Sequence, residues 1–289
     1  MKEFLAENKK IFENYLSIRL KELDGVAEPI GSAVKYALDG GKRIRPILCI
    51  LGAEFMGKGF EEIKNLALGV ECIHNYSLCH DDLPCMDNDD LRHGKPSTHK
   101  KFGEGMGVLA GDGLLNLAFE FMLDGEHNQN YFKAVAYISK MSGVFGMVGG
   151  QCIDIAAGDF RQKTLQEVIE LNMLKTACLF KAALVGSSIS LGANDQEIES
   201  LEEFAEKIGL IFQIVDDILD VTSNEKELGK NINSDIKENK ITYLSICGME
   251  KAKQDILQLE NEAIEAVAKY GDRANNLIKL AKFLTNRSK

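Results

Sequence analysis

Several things are scarce in this chain. There is no tryptophan, there are four prolines among 289 residues, and no apolar run reaches the roughly 18 residues expected of a membrane span. With 45% hydrophobic and 27% charged residues, what remains is an ordinary soluble globular composition, long enough for a sizeable buried core and not indicative of disorder. The seven cysteines, at 49, 72, 79, 85, 152, 178 and 247, form no Cys-x-x-Cys pair and no zinc-like Cys/His spacing. Most sit in apolar runs, as reduced thiols of a cytosolic protein do. Positive charge is in deficit: 34 Lys and Arg against 44 Asp and Glu give −10, which argues against nucleic acid or an anionic membrane surface as the main partner. Met1 to Leu23 mixes Lys and Glu through its apolar positions and so lacks the core of a signal peptide, and a cytoplasmic location is expected. No repeat or low-complexity linker breaks the chain.

Alternation of apolar and polar residues is also missing, with Lys240 to Ile246 the only plausible strand, in competition with a helix around Tyr243 to Lys251. Helical periodicity fills the rest: the N-terminal segment through Leu20, Ile30 to Leu38, Ile47 to Phe55, Glu61 to His80, Gly105 to Leu123, Tyr131 to Gly150, a helix opened by the Thr164/Glu167 capping box, Gln196 to Val221, and terminal helices up to Leu284. Gly40-Gly41 breaks the pattern ahead of a basic turn, and Thr222 to Asn239 reads as a loop or lid. The expectation is one all-α domain over residues 1–289.

Against this background, His80 to His99 stands out. Five carboxylates, Asp81, Asp82, Asp87, Asp89 and Asp90, lie within ten residues and are followed by Arg92, His93 and Lys95. A solvated acidic loop could tolerate such self-repulsion, but a site for divalent metal and polyphosphate requires it. Asp81 and Asp87 are six residues apart, about 600° of helical rotation, so they cannot share a face of an unbroken helix. The chain must turn near Pro84, where the helix end also favours a cation. A second cluster differs in geometry: Gln213, Asp216, Asp217 and Asp220 fall at i, i+3, i+4 and i+7 and share one helix face, with Phe212, Ile214 and Val215 beside them. Carboxylates in an apolar segment are costly unless a cation sits among them, although an exposed acidic stripe is the commoner arrangement.

Taken with Gly40-Gly41-Lys42-Arg43-x-Arg45-Pro46, the motifs Asp81-Asp82-x4-Asp87 and Asp216-Asp217-x-x-Asp220 resemble those of the trans-polyprenyl diphosphate synthases of the short-chain type, in the right order from about Gly40 to Tyr243. The resemblance implies an isoprenoid synthase bundle around a central cavity and a magnesium-dependent prenyltransferase. Such an enzyme condenses isopentenyl diphosphate head-to-tail with an allylic diphosphate (dimethylallyl or geranyl) and releases diphosphate. It also implies three magnesium ions, with manganese able to substitute, and a homodimer, for which the apolar helix Gly105 to Leu123 offers a face. By similarity Asp81, Asp87 and Asp216 would ligate metal, with Asp82, Asp217 and Asp220 in support. Arg92, Lys175 and Lys230 would bind the allylic diphosphate, Thr176 and Gln213 would line its reacting carbon, and Lys42, Arg45, His74 and His93 would hold isopentenyl diphosphate. Taken singly, such lysines are commonly solvated and such a histidine commonly a core residue. Gln151 and Asp154 match a Gly-Gln-x-x-Asp segment whose role stays open.

In such synthases the floor of the elongation pocket lies four and five residues before the first Asp, here Ser77 and Tyr76. A tyrosine ring there would stop the chain early, so farnesyl diphosphate is the expected product. Geranylgeranyl diphosphate is the alternative, because the surroundings of Cys85 resemble geranylgeranyl synthases. His93 stands where a second arginine is usual, replacing a permanently charged bidentate group by imidazole, and Leu244 stands where proline often follows. A terpene cyclase is disfavoured, since its second metal motif would fall on Leu219, Ser223 and Glu227 and leucine cannot ligate. A non-catalytic subunit is disfavoured because every Asp ligand is present.

Overall fold

The computed structural model describes residues 1–156, 164–222 and 241–286. Lys230, Lys240 and nearly all of the expected Thr222 to Asn239 loop lie outside the described residues. The helices are α1 (Lys2–Arg19), α2 (Ile30–Leu38), α3 (Ile44–Phe55), α4 (Lys64–Asp81), α5 (Thr98–Phe102), α6 (Glu104–Met122), α7 (Gln129–Ser142), α8 (Met147–Ala156), α9 (Leu165–Asn172), α10 (Cys178–Ser190), α11 (Asp195–Thr222), α12 (Tyr243–Cys247), α13 (Met249–Ala268) and α14 (Asn275–Thr285). The all-α expectation holds. A minimal ribbon, β1 (Leu91–Arg92) paired antiparallel with β2 (Lys95–Pro96), is the only sheet among the described residues.

The middle of the bundle is α10. It is buried along nearly its whole length, including Leu179, Phe180, Leu184 and Val185, and it packs on α3, α7 and α11. Each such side chain contributes about 1.5–3 kcal/mol through burial. The buried Ser187 and Ser188 hydroxyls donate to the carbonyls of Ala183 (2.8 Å) and Leu184 (2.9 Å), so no polar group is stranded there. α4 lies along α6, and α11 lies along α13. One apolar cluster runs through all of these from Phe12 to Leu284.

Three local expectations are corrected. Tyr131 to Gly150 is two helices, because the chain turns through Gly143 to Gly146. The glycine pair 149–150 lies inside α8 and does not end a helix. Of the expected strand Lys240 to Ile246, the described part from Ile241 onward is not a strand, since Thr242 accepts from Ser245 N–H at 3.2 Å and starts α12; Gly248, at φ 73°, then separates α12 from α13. A short apolar run carries no periodicity that separates strand from helix, so the capping chemistry decides.

Between α9 and α10 the helix opens into a π turn, Met173–Ala177, which carries Lys175 and Thr176. Glycines on both sides admit it. A Cβ on Gly150 of α8 would lie 2.4 Å from the Lys175 backbone nitrogen, and one on Gly209 of α11 would lie 2.7 Å from the Ala177 Cα. No local sequence signal marks this turn.

Candidate active site

α4 ends at Asp81, three residues before Pro84, and the chain then folds back. The Asp87 N–H donates to the Asp81 carbonyl at 2.8 Å, and the Asn88 N–H to the Leu83 carbonyl at 3.1 Å. Asp87 is thereby brought beside Asp81. The Asp81 carboxyl is pushed up to about 6, chiefly by burial; Lys175 opposes the rise and Asp87 adds to it. Asp82 is buried and holds Arg92, whose Nε donates to it at 3.0 Å, while Arg92 Nη2 reaches Asp89 at 3.1 Å. Asp82 therefore fixes Arg92 at the site. Asp89, to which no role was given, is its second partner.

From α11, Gln213 and Asp216 line a basic cavity of about 250 Å³ together with Lys42, Arg45, His74, Arg92, His93 and Thr176. Asp217 and Asp220 are buried behind them. Asp217 accepts from Gln213 Nε2 at 3.0 Å and from the Tyr243 N–H at 3.1 Å, and Gln213 Oε1 accepts the Thr176 hydroxyl at 3.1 Å. This chain sets the orientation of the amide and spends the hydroxyl proton on Gln213, so the Thr176 oxygen keeps its lone pairs for whatever lies in the cavity.

A second, more apolar cavity of about 520 Å³ shares Arg45, His74, Leu78 and Thr176 with the first. It also meets Asp81 and Lys175, then runs past Tyr76 and Ser77 to Met147, Val148, Cys152 and Ile155. Tyr76 is 7% exposed, with its ring edge-on to His80 at 5.8 Å, and the Ser77 hydroxyl donates to the His74 carbonyl at 2.9 Å. Lys175 Nζ donates to Asp154 at 2.7 Å, which gives the Gly-Gln-x-x-Asp segment a physical task. The sequence had flagged Asp154 without supplying its partner, because the pairing depends on the π turn.

Arg45 Nη1 lies 3.0 Å from His74 Nε2. Burial first, and then Arg45, lower the His74 pKa well below its usual value, so the neutral ring accepts from the guanidinium. Burial likewise lowers Arg45 to about 10, which leaves it charged at neutral pH. His93 packs on Gly40 and Gly41 and is pushed down to about 4, by burial and then by Arg92, Arg43, Lys95 and Lys42. In the unliganded pocket the imidazole is neutral.

No three His, Cys, Asp or Glu side chains among the described residues gather closely enough to enclose a metal by themselves. Magnesium keeps several waters and is commonly held by one or two carboxylates plus substrate phosphates. Separate hard oxygen donors at Asp81, Asp87 and Asp216, beside cavities lined by cations, fit that mode. No helix of the described residues is long and apolar enough to cross a membrane.

The chain is 41% identical to a chloroplastic geranylgeranyl pyrophosphate synthase of Catharanthus roseus, over 95% of this chain and 79% of that protein. It superposes on the crystal structure of a Legionella pneumophila geranyltransferase with a TM-score of 0.86 at 33% identity, covering 99% of this chain and 97% of that one. A Helicobacter pylori geranyltransferase, solved in complex with magnesium and isoprenyl diphosphate, gives 0.79 at 29% identity, with 96% of each chain covered. The polyprenyl synthetase family profile matches residues 27–280. The two acidic motifs, the basic turn and the bundle that assembles them thus belong to a prenyltransferase, and the chain is a member of the polyprenyl synthetase family.

Proposed function

We propose that this protein condenses isopentenyl diphosphate with allylic diphosphates and carries the chain to geranylgeranyl diphosphate, so that the farnesyl expectation drawn from Tyr76 gives way to its alternative. The observation that carries this reading is the junction of the two cavities at Thr176 and Arg45. A basic pocket suits a diphosphate, and an apolar one suits a growing tail. Tyr76 forms part of the α4 wall, and the apolar cavity continues along α8 beside it. The identity with a geranylgeranyl synthase supports the same product length.

In this reading Lys175 and Arg92 receive the allylic diphosphate, and Lys42, Arg45 and His93 receive the isopentenyl diphosphate, with His74 orienting Arg45. Magnesium held by Asp81, Asp87 and Asp216 would supply charge neutralisation for the departing diphosphate. The Thr176 oxygen and the Gln213 carboxamide face the carbon that becomes electron-poor and stabilise it as fixed dipoles. Lys230 is assigned to the allylic diphosphate on the motif alone. Two copies are proposed to pair across α6, where Val108 (41%) and Leu109 (54%) are exposed.

Product chromatography with dimethylallyl diphosphate as primer tests the length. The expected end product is C20, with C15 passing through as an intermediate. Accumulation of C15 that is not extended on prolonged incubation would restore the farnesyl reading. Tyr76→Ala, which widens the α4 wall, is expected to lengthen the product by at least one isoprene unit.

His93 carries a pH prediction. A diphosphate bound against it favours the charged ring, so binding takes up a proton and weakens as pH rises from about 4 toward the bound-state pKa. KM for isopentenyl diphosphate is expected to rise between about pH 6 and pH 8, and His93→Arg is expected to lower KM and remove most of the slope. A wild-type KM that stays flat over that range would eliminate a charged role for His93.

A further inference from the structure

The basic turn has a back as well as a face. Arg43 adopts φ 57°, the left-handed region that is unfavourable for a residue with a Cβ, and it lies between Gly41 at φ 89° and the start of α3. Arg43 borders the basic cavity, but it is only 3% exposed and its guanidinium is committed to partners within the protein. Nε donates to Glu13 at 2.8 Å, Nη1 to Glu71 at 2.7 Å and Nη2 to the Leu38 carbonyl at 2.5 Å, while the group lies over the Phe12 ring at 5.7 Å. One turn away on the same helix as Glu13, Lys9 Nζ donates to the Gly41 carbonyl at 2.8 Å. Two side chains of α1 therefore grip the turn on either side of Lys42, and Glu71 of α4 holds it from below.

α1 lies before residue 27, where the family match begins, so these two grips belong to a part of the chain that the family profile does not describe. We propose that Lys9 and Glu13 are positioning residues for the isopentenyl diphosphate pocket: α1 holds Arg43 in its strained conformation and thereby sets the placement of Lys42 and Arg45. This rests on the reading of the basic cavity as the isopentenyl diphosphate site. The physical reason is that a diphosphate needs several cations in fixed register, and a turn containing two glycines does not hold that register by itself. Arg43, the most buried cation of the turn, is the strut, and Glu13 and Glu71 compensate its charge.

The test uses full-length Glu13→Ala, Glu13→Gln, Lys9→Met and the Lys9→Met/Glu13→Ala double variant, with Arg45→Met as a check on the pocket itself. For each, KM for isopentenyl diphosphate, KM for the allylic substrate, kcat and Tm are measured. Glu13→Ala is expected to raise KM for isopentenyl diphosphate about fivefold, the scale of a half-exposed charged contact, with KM for the allylic substrate and Tm nearly unchanged. Glu13→Gln, which still accepts from Arg43, should restore part of the loss, and the double variant should exceed either single one. The proposal is overturned if KM for isopentenyl diphosphate is unchanged in the double variant. It is equally overturned if both KM values rise together as Tm falls, which is the signature of a general packing role. If Arg45→Met raises KM for isopentenyl diphosphate while the α1 variants do not, this inference alone fails. If Arg45→Met has no effect, the pocket reading fails and the inference with it.

Discussion

Asp81→Asn is expected to lower kcat by at least about 10³-fold, the loss that follows when a group stabilising transition-state charge is removed, and at the same time to raise Tm at pH 7.5. The two effects have one cause. Burial, with Asp87 nearby, lifts the Asp81 carboxyl to about 6, so the unliganded fold holds a carboxylate it would prefer to protonate. The sign follows from linkage. A folded-state pKa above the usual carboxylate value stabilises the fold below the unfolded pKa, and that stabilisation is lost as pH rises through about 6. At pH 7.5 the charge is a cost to the apo protein, and the isosteric amide removes it. Activity runs the other way: protons compete with a cation for Asp81, so the wild-type rate should fall at acid pH, with a midpoint that moves lower as magnesium is raised. Kinetics and thermal melts across pH on the same two proteins check both halves. A variant that lost activity and stability together would show that Asp81 is a structural residue.

Gly150→Ala is expected to damage both stability and turnover without removing any charged group. The added Cβ would lie 2.4 Å from the Lys175 nitrogen and 2.8 Å from its Cα, and backbone cannot yield as a side-chain tip can. On the opposite side Gly209 already brings α11 against Ala177, so the π turn has no free direction in which to move. Overpacking of this kind costs about 1–3 kcal/mol. Displacing Lys175 and Thr176 by about 1 Å is expected to lower kcat on the order of 10²-fold. Circular dichroism melts and steady-state kinetics measure the two separately. A Gly150→Ala protein with a normal kcat would show that the placement of the turn does not matter to the chemistry.

What the sequence made legible was the chemistry that local spacing encodes. The split between Asp81 and Asp87 required a chain reversal, and the 2.8 Å bond between their backbones is that reversal. Thr164 and Glu167 required a helix start and made one. The i, i+3, i+4, i+7 face of α11 turned out to be divided by depth: Gln213 and Asp216 line the cavity, while Asp217 and Asp220 lie buried behind them. What stayed illegible depends on a partner from elsewhere in the chain. The π turn exists because two glycines on other helices leave room for it, and Asp154 has its role only once that turn presents Lys175. Gly149-Gly150 looked like a helix end because a breaker and a close approach have the same spelling. The product-length expectation weighed Tyr76 by its place on α4 alone, whereas the apolar cavity is also lined by Met147, Val148, Cys152 and Ile155 of α8, which spacing along α4 does not show.

In the proposed reaction, departure of diphosphate is coupled to attack by isopentenyl diphosphate in one pair of joined cavities. The most direct measurement is a reaction of the purified protein with radiolabelled isopentenyl diphosphate, dimethylallyl diphosphate and magnesium, in which released diphosphate and label incorporated into prenyl product are counted in the same tube. The prediction is one diphosphate released per isopentenyl unit incorporated, with both signals abolished by chelator. Diphosphate released without incorporation of label, or no turnover of either substrate, would contradict it.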